Sequence, residues 1–256
     1  MRKFYIVGAG PGDPDLITVK GLKLLKEADV IIYADSLVSA ELLKQSKEGA
    51  EIFKSSGMTL EEVVAKITES VNAGKMVVRL HTGDPAVYGA TFEQIYLLRK
   101  EKIEPQIIPG VSSVFASAAA VGAELTVPSL TQTVILTRVS GRTPVPEKEE
   151  LRSLAAHHCT LAIFLSASLA AKTTKELLAA GWAPTTPIAI VEKATWPEQR
   201  IIRTNVEGLE KALKDAGIKS HAMILAGEAL AEDEEQIFRR SLLYDGEFSH
   251  GFRKGE

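Results

Sequence analysis

Three short apolar runs each break off at a glycine-bearing loop. Phe4–Val7 runs into Gly8-Ala9-Gly10-Pro11-Gly12, Met76–Leu80 into His81-Thr82-Gly83-Asp84-Pro85, and Gln106–Ile108 into Pro109-Gly110. Between them lie stretches whose apolar residues recur at helical spacing, at about 19–28, 61–73 and 91–100; a further strand run, Val30-Ile31-Ile32-Tyr33, precedes the polar loop Ala34-Asp35-Ser36. Continuous apolar strands alternating with amphipathic helices imply a parallel sheet, because parallel neighbours need a crossover long enough to hold a helix. The small-residue segment Val114–Val121 reads as a close-packed helix. Residues 1–122 are therefore expected to form one α/β domain.

Beyond this point the pattern changes. Thr133–Thr137, Thr160–Leu165 and Ile188–Val191 read as strands, and Pro197-Glu198-Gln199 as a turn leading into Ile201–Arg203, which predicts a hairpin and antiparallel pairing. Val206–Ala216 reads as a helix stopped by Gly217, and Ala222–Leu225 as a last strand. The expectation is two α/β domains with mixed, largely parallel sheets and a cleft between them. The second domain covers 123–235, and a charged tail covers 236–256. No long Pro- or Ser-rich linker separates the two.

Charge and composition exclude several classes. A formal net charge of −3 leaves no global basic field for nucleic acid. The single cysteine, Cys159, sits in a strand run and cannot form an internal disulfide. No apolar run approaches the roughly 20 residues of a membrane span, and the N-terminus lacks a secretory pattern, so a cytoplasmic location is expected. His157-His158 has no further ligand at metal spacing and reads as a surface pair, so no metal site is expected. His81 reads as hydrogen-bonding scaffold at a rim.

The first glycine loop invites a dinucleotide reading and does not support it. The fingerprint G-x-G-x-x-G needs a glycine where this chain has Asp13, and a carboxylate there opposes a phosphate. Pro11 and Pro14 also remove backbone donors from any phosphate cradle. The second loop places Gly83 and Asp84 at a strand tip, where open α/β sheets keep their ligands. A carboxylate suits a cationic or hydroxyl-rich ligand. The third loop adds the hydroxyls of Ser112 and Ser113.

These three loops, in the order Gly8 to Thr18, Gly83-Asp84-Pro85 with Tyr88-Gly89, and Pro109-Gly110-Val111-Ser112-Ser113, resemble the tetrapyrrole methylases, over nearly the whole chain to about Glu228. Tyr33–Val38, Leu130–Arg138 and Gly141–Pro146 resemble one branch of that family, which methylates a ring carbon of a corrinoid precursor. The resemblance implies two α/β domains, a homodimer, and S-adenosylmethionine as methyl donor, with S-adenosylhomocysteine as product. It places Pro11, Gly83, Asp84, Val87, Ser112 and Ser113 around the donor from the first domain. Leu165, Ala194 and Met223 would line it from the second. The family's Met-Gly pair after the strand is here Leu165-Ser166. The partner it implies is a small-molecule tetrapyrrole, with neither nucleic acid nor membrane.

Methyl transfer from a sulfonium to an enamine-like ring carbon needs no protein nucleophile, so catalysis reduces chiefly to positioning. Asp35 and Tyr33 are the expected base candidates. The substrate's acetate and propionate groups call for arginine forks, with Arg79, Arg138 and Arg142 as partners and Ser36 beside them. Two enzyme alternatives stay open, methylation of another tetrapyrrole carbon or of diphthamide on a protein. A third possibility is a non-catalytic module that senses S-adenosylmethionine.

Overall fold

The computed structural model describes residues 4–233, 235, 238, 239 and 241–254, so residues 236, 237, 240, 255 and 256 of the expected tail lie outside the described residues. The chain divides into two compact units. One comprises Met1–Ala116 with Lys193–Glu198, the other Ser117–Glu192 with Gln199–Glu256.

In the first unit the elements run β1 (Phe4–Gly8), α1 (Val19–Glu27), β2 (Val30–Tyr33), β3 (Glu51–Lys54), α2 (Leu60–Asn72), β4 (Val77–His81), α3 (Thr91–Lys100) and β5 (Gln106–Ile108). The sheet order is β3-β2-β4-β1-β5, with every pairing parallel. All four residues of β2 and all five of β4 are buried, as expected of parallel strands covered on both faces. Val7, Ile31, Val78 and Leu80 pack on one face with Leu25 of α1; Ile6, Ile32 and Val77 pack on the other with Val63 and Ile67 of α2 and Leu98 of α3. Caps hold the helix starts. Thr18 Oγ1 accepts from Gly21 N at 3.1 Å, and Thr59 and Glu62 form a reciprocal capping box at 3.2 and 2.8 Å.

α4 (Ser113–Val121) carries the chain into the second unit. There follow β6 (Val134–Arg138), α5 (Leu151–Ala155), β7 (Thr160–Phe164), α6 (Ala170–Ala179), β8 (Pro187–Glu192), β9 (Arg200–Asn205), α7 (Leu209–Asp215) and β10 (Ala222–Ala226). The order is β6-β7-β10-β8-β9; β6 and β7 run parallel and the remaining pairings antiparallel, including the expected β8–β9 hairpin. Leu161, Ile163, Ile188, Ile190 and Ile224 form a core with Leu151, Leu177, Leu209 and Leu213 from the helices. The fold is thus mixed α/β with two sheets, as expected.

Three local differences have physical causes. β3 escaped the sequence reading because Glu51-Ile52-Phe53-Lys54 is a half-buried edge strand with only two apolar residues. α6 escaped because its inward stripe, Ala170, Thr173 and Leu177, is mostly small or polar. α7 starts at Leu209 rather than Val206, because the Asn205 side chain accepts from Gly208 N at 2.8 Å and holds 206–208 as a turn.

Candidate functional site

The three glycine loops of the first unit are built into one another. Ala9 N donates to His81 O at 2.7 Å, while Gly10 and Gly83 form a two-way backbone bridge at 3.3 and 2.8 Å. A Cβ at Gly8 would lie 2.6 Å from Gly110 Cα and 2.7 Å from Gly83 O. Only glycine allows this approach, and Gly10 and Gly83 further need positive φ, +79° and +60°. The glycines therefore serve loop-to-loop packing rather than a phosphate.

Asp84 completes the arrangement. Its Oδ2 accepts from Gly110 N and its Oδ1 from Ala86 N, both at 2.8 Å, so the carboxylate ties the loop after β4 to the loop after β5. Two of its roughly four lone-pair positions are used and the rest remain for a ligand. Half-buried Val87 follows, then Tyr88 and Ala90 in left-handed backbone at φ 52° and 48°. Such strain in non-glycine residues gathers where the surrounding structure over-determines the backbone, often at ligand sites. Ser112 is buried and Ser113 opens α4.

Pro11 and Gly12 meet a residue missed in the sequence. Trp196 Nε1 donates to Pro11 O at 2.9 Å, and its indole lies where a Gly12 Cβ would stand. Its signal was a lone tryptophan in a polar turn. Ala194, expected from the second domain, belongs with Lys193–Glu198 to the first unit and is buried there.

In the second unit, Leu165 follows β7 with φ +53° and is 69% exposed, an unusual state for a leucine. Ser166 has a structural duty. Its Oγ donates to Phe164 O at 2.6 Å and accepts from Val139 N at 2.9 Å, so the serine ties the loops after β6 and β7. Met223 is buried, the second residue of β10, opposite Val191.

The base candidates differ in setting. Tyr33 is buried in the apolar cluster with Val38 and Leu42, which gives its ring a packing role. Asp35 Oδ1 accepts from Ser56 N at 3.1 Å, and hydrogen bonding from the Ser56 side chain, then its backbone, holds the Asp35 carboxyl below its ordinary range. A carboxylate so stabilised is a weak base and a steady negative charge. Ser36 is exposed beside it.

The arginines also separate. Arg79 is only 7% exposed, on the face of β4 that carries Val77, and its Nε and Nη1 have no partner among the described residues. Burial lowers it to about 10. His81, two residues on, is buried rather than at a rim, and its Nε2 likewise lacks a partner. Burial first, then the Arg79 charge, lowers His81 to about 4. Arg138 donates to Thr143 O at 3.0 Å and Pro144 O at 2.6 Å, bracing its own loop, while Arg142 is exposed. His157 and His158 lie at the surface, the latter stacked on Trp182, and burial raises the Cys159 thiol. Among the described residues no helix is long and apolar enough to cross a membrane, and no group of three or more His, Cys, Asp or Glu is placed to hold a metal ion.

Residues 3–210 match the family model of the tetrapyrrole (corrin/porphyrin) methylases. The chain is 60% identical over 253 residues to the cobalt-precorrin-4 C(11)-methyltransferase of Priestia megaterium, covering 99% of this chain and 98% of that one. The crystal structure of a cobalt precorrin-4 methyltransferase from cobalamin biosynthesis superposes with a TM-score of 0.88 at 60% identity, covering 90% and 96% of the two chains. The uroporphyrin-III C-methyltransferase of Thermus thermophilus, solved with S-adenosylhomocysteine, superposes with a TM-score of 0.76 at 30% identity over 91% and 96%.

Proposed function

The chain belongs to the tetrapyrrole methylases, and from that membership we propose that it moves the methyl group of S-adenosylmethionine to C11 of cobalt-precorrin-4 in corrin synthesis. The observation that carries this reading is 60% identity, along 99% of the chain, to a methyltransferase of that specificity.

The loops fit the donor. A ligand with a sulfonium, an ammonium and a ribose diol suits close-packed glycine backbone, the remaining lone pairs of Asp84 and the Ser112 hydroxyl. The same set offers no cation for a dinucleotide pyrophosphate. We assign Pro11, Gly83, Asp84, Val87, Ser112, Ser113 and Ala194 to donor binding on the first unit, and Leu165 and Met223 on the second. Met223 is buried, so its contribution is to shape rather than to hydrogen bonding.

Bound S-adenosylmethionine supplies an electrophilic methyl on a good leaving group. The chain's own part is to orient the reactants and keep polar groups fixed, since entropy removed beforehand lowers the barrier to a bimolecular step. Asp35, held ionised by Ser56, supplies fixed negative charge near the developing positive charge of the ring more readily than it removes a proton. Tyr33 is the second candidate, through its hydroxyl. Arg142 and Arg138 are assigned to substrate carboxylates with Ser36, and Arg79 through its unpaired Nε and Nη1. A homodimer follows the family pattern and is supported by exposed Phe92, Tyr96, Ile107 and Phe115 on the first unit. A cytoplasmic location suits a small-molecule biosynthetic step.

The test is incubation with methyl-labelled S-adenosylmethionine and, in parallel, precorrin-4 and cobalt-precorrin-4, with the new methyl located by NMR. Label at C11 of the cobalt form supports the proposal. Label at another carbon, or none on either substrate, refutes it.

A further inference from the structure

The segment Lys193–Glu198 joins β8 to β9 yet groups with the first unit. Its backbone is unusual. Lys193 and Thr195 are left-handed, at φ 48° and 71°, and Trp196 N closes the turn on Lys193 O at 2.9 Å. Non-glycine residues keep such conformations only where their surroundings demand them. Here the demand comes from the first glycine loop. Thr195 Oγ1 accepts from Asp13 N at 3.0 Å, Trp196 Nε1 donates to Pro11 O at 2.9 Å, and the Trp196 ring covers Gly12. Three consecutive loop residues are thus each met by one of two neighbours more than 180 positions away.

We infer that Trp196 is a positioning residue for the methyl donor, acting through Pro11 and Gly12 without touching the reacting atoms. The chain of contact is short. Gly10, next to Pro11, forms the two-way bridge with Gly83, so displacement of the first loop passes directly to the second. Pro11 has no N–H with which to anchor itself, which leaves its carbonyl as the available backbone handle, and Trp196 holds that handle. An indole combines a flat face that lies against a glycine with a donor at its edge. Phenylalanine would supply the face alone. Gly12 is explained by the same contact, since any side chain there would enter the ring.

The inference rests on the reading that this loop borders the donor site, and the test separates the two. Trp196→Phe and Gly12→Ala break the contact from opposite sides. Dissociation of S-adenosylhomocysteine is measured by calorimetry, alongside KM for S-adenosylmethionine and for the tetrapyrrole, kcat, and the melting temperature. Loss of one hydrogen bond predicts about a fivefold rise in Kd and in donor KM for Trp196→Phe. Acceptor KM and kcat at saturating donor should stay within about twofold, the pattern of lost uniform binding. Gly12→Ala should show the same donor-selective split. Wild-type affinity for S-adenosylhomocysteine in Trp196→Phe overturns the inference, as does a rise in acceptor KM and a loss of kcat as large as the donor effect, together with a lower melting temperature. Failure of the wild-type protein itself to bind S-adenosylhomocysteine overturns the donor-site reading, and this inference with it.

Discussion

Replacing Asp84 with asparagine tests whether the carboxylate works mainly as a tie between loops. Both oxygens accept backbone N–H groups, from Gly110 and from Ala86, at 2.8 Å. Hydrogen bonds to a charged acceptor contribute about 1.5–3 kcal/mol each and neutral ones about 0.5–1.5. Asparagine keeps one oxygen and sets an NH2 opposite the other donor. One bond is lost, then, and the second falls from charged to neutral. With a discount for the half-exposed position, the net cost is about 2 kcal/mol. At about 2–4 °C per kcal/mol for a chain of this size, the melting temperature should drop by roughly 4–8 °C. Since two units need not unfold together, amide hydrogen exchange should be followed in parallel. Faster exchange should be confined to peptides holding Ala86 and Gly110. A melting temperature within about 1 °C of wild type, with exchange at both amides unchanged, would refute the reasoning and leave Asp84 as a ligand group alone.

Three further outcomes follow. His81 should titrate near 4 by NMR rather than near 6.5; the unfolded chain then binds the extra proton between those values, so stability is fully present above about pH 6.5 and is lost as pH falls to about 4, by on the order of 3 kcal/mol. A midpoint near 6.5 contradicts the burial argument. Because Ser56 holds Asp35 ionised, the pH profile of kcat/KM should show no acid limb near pH 5–6 that Asp35→Asn removes, and such a limb would show a raised carboxyl instead. Arg142→Ala should raise acceptor KM by about two- to fivefold with S-adenosylhomocysteine affinity unchanged, as an exposed charge contact would; a change in donor affinity instead would move Arg142 to the other substrate.

What was legible in the sequence was whatever the local pattern carries. Val30–Tyr33 is apolar throughout because both faces of β2 are covered, and α3 occupies the same Thr91–Lys100 span that its periodicity predicts. The β8–β9 hairpin could be read from its turn. Illegible features depend on pairings distant in sequence. That Asp84 also ties two loops together is invisible until Gly110, 26 residues on, is seen to donate to it. Trp196 looks like a stray aromatic until Pro11, 185 residues away, accepts from it. Ser166, read as a departure from the family pair, is a hydroxyl with two backbone partners. That Arg79 is buried by the sheet, with Nε and Nη1 unpartnered among the described residues, is likewise visible only once the sheet is assembled.

The mutual packing of Gly8, Gly83 and Gly110 also sets where this scaffold can be re-engineered. A pocket for a bulkier alkyl-sulfonium cannot be carved from those glycines, which have no side chain to trim and no room for the backbone to retreat without moving a neighbouring strand end. On the proposed donor assignment, room for a larger transferred group would have to come from a side chain that stands outside the lock, with half-buried Val87 the first position of the first unit to shorten.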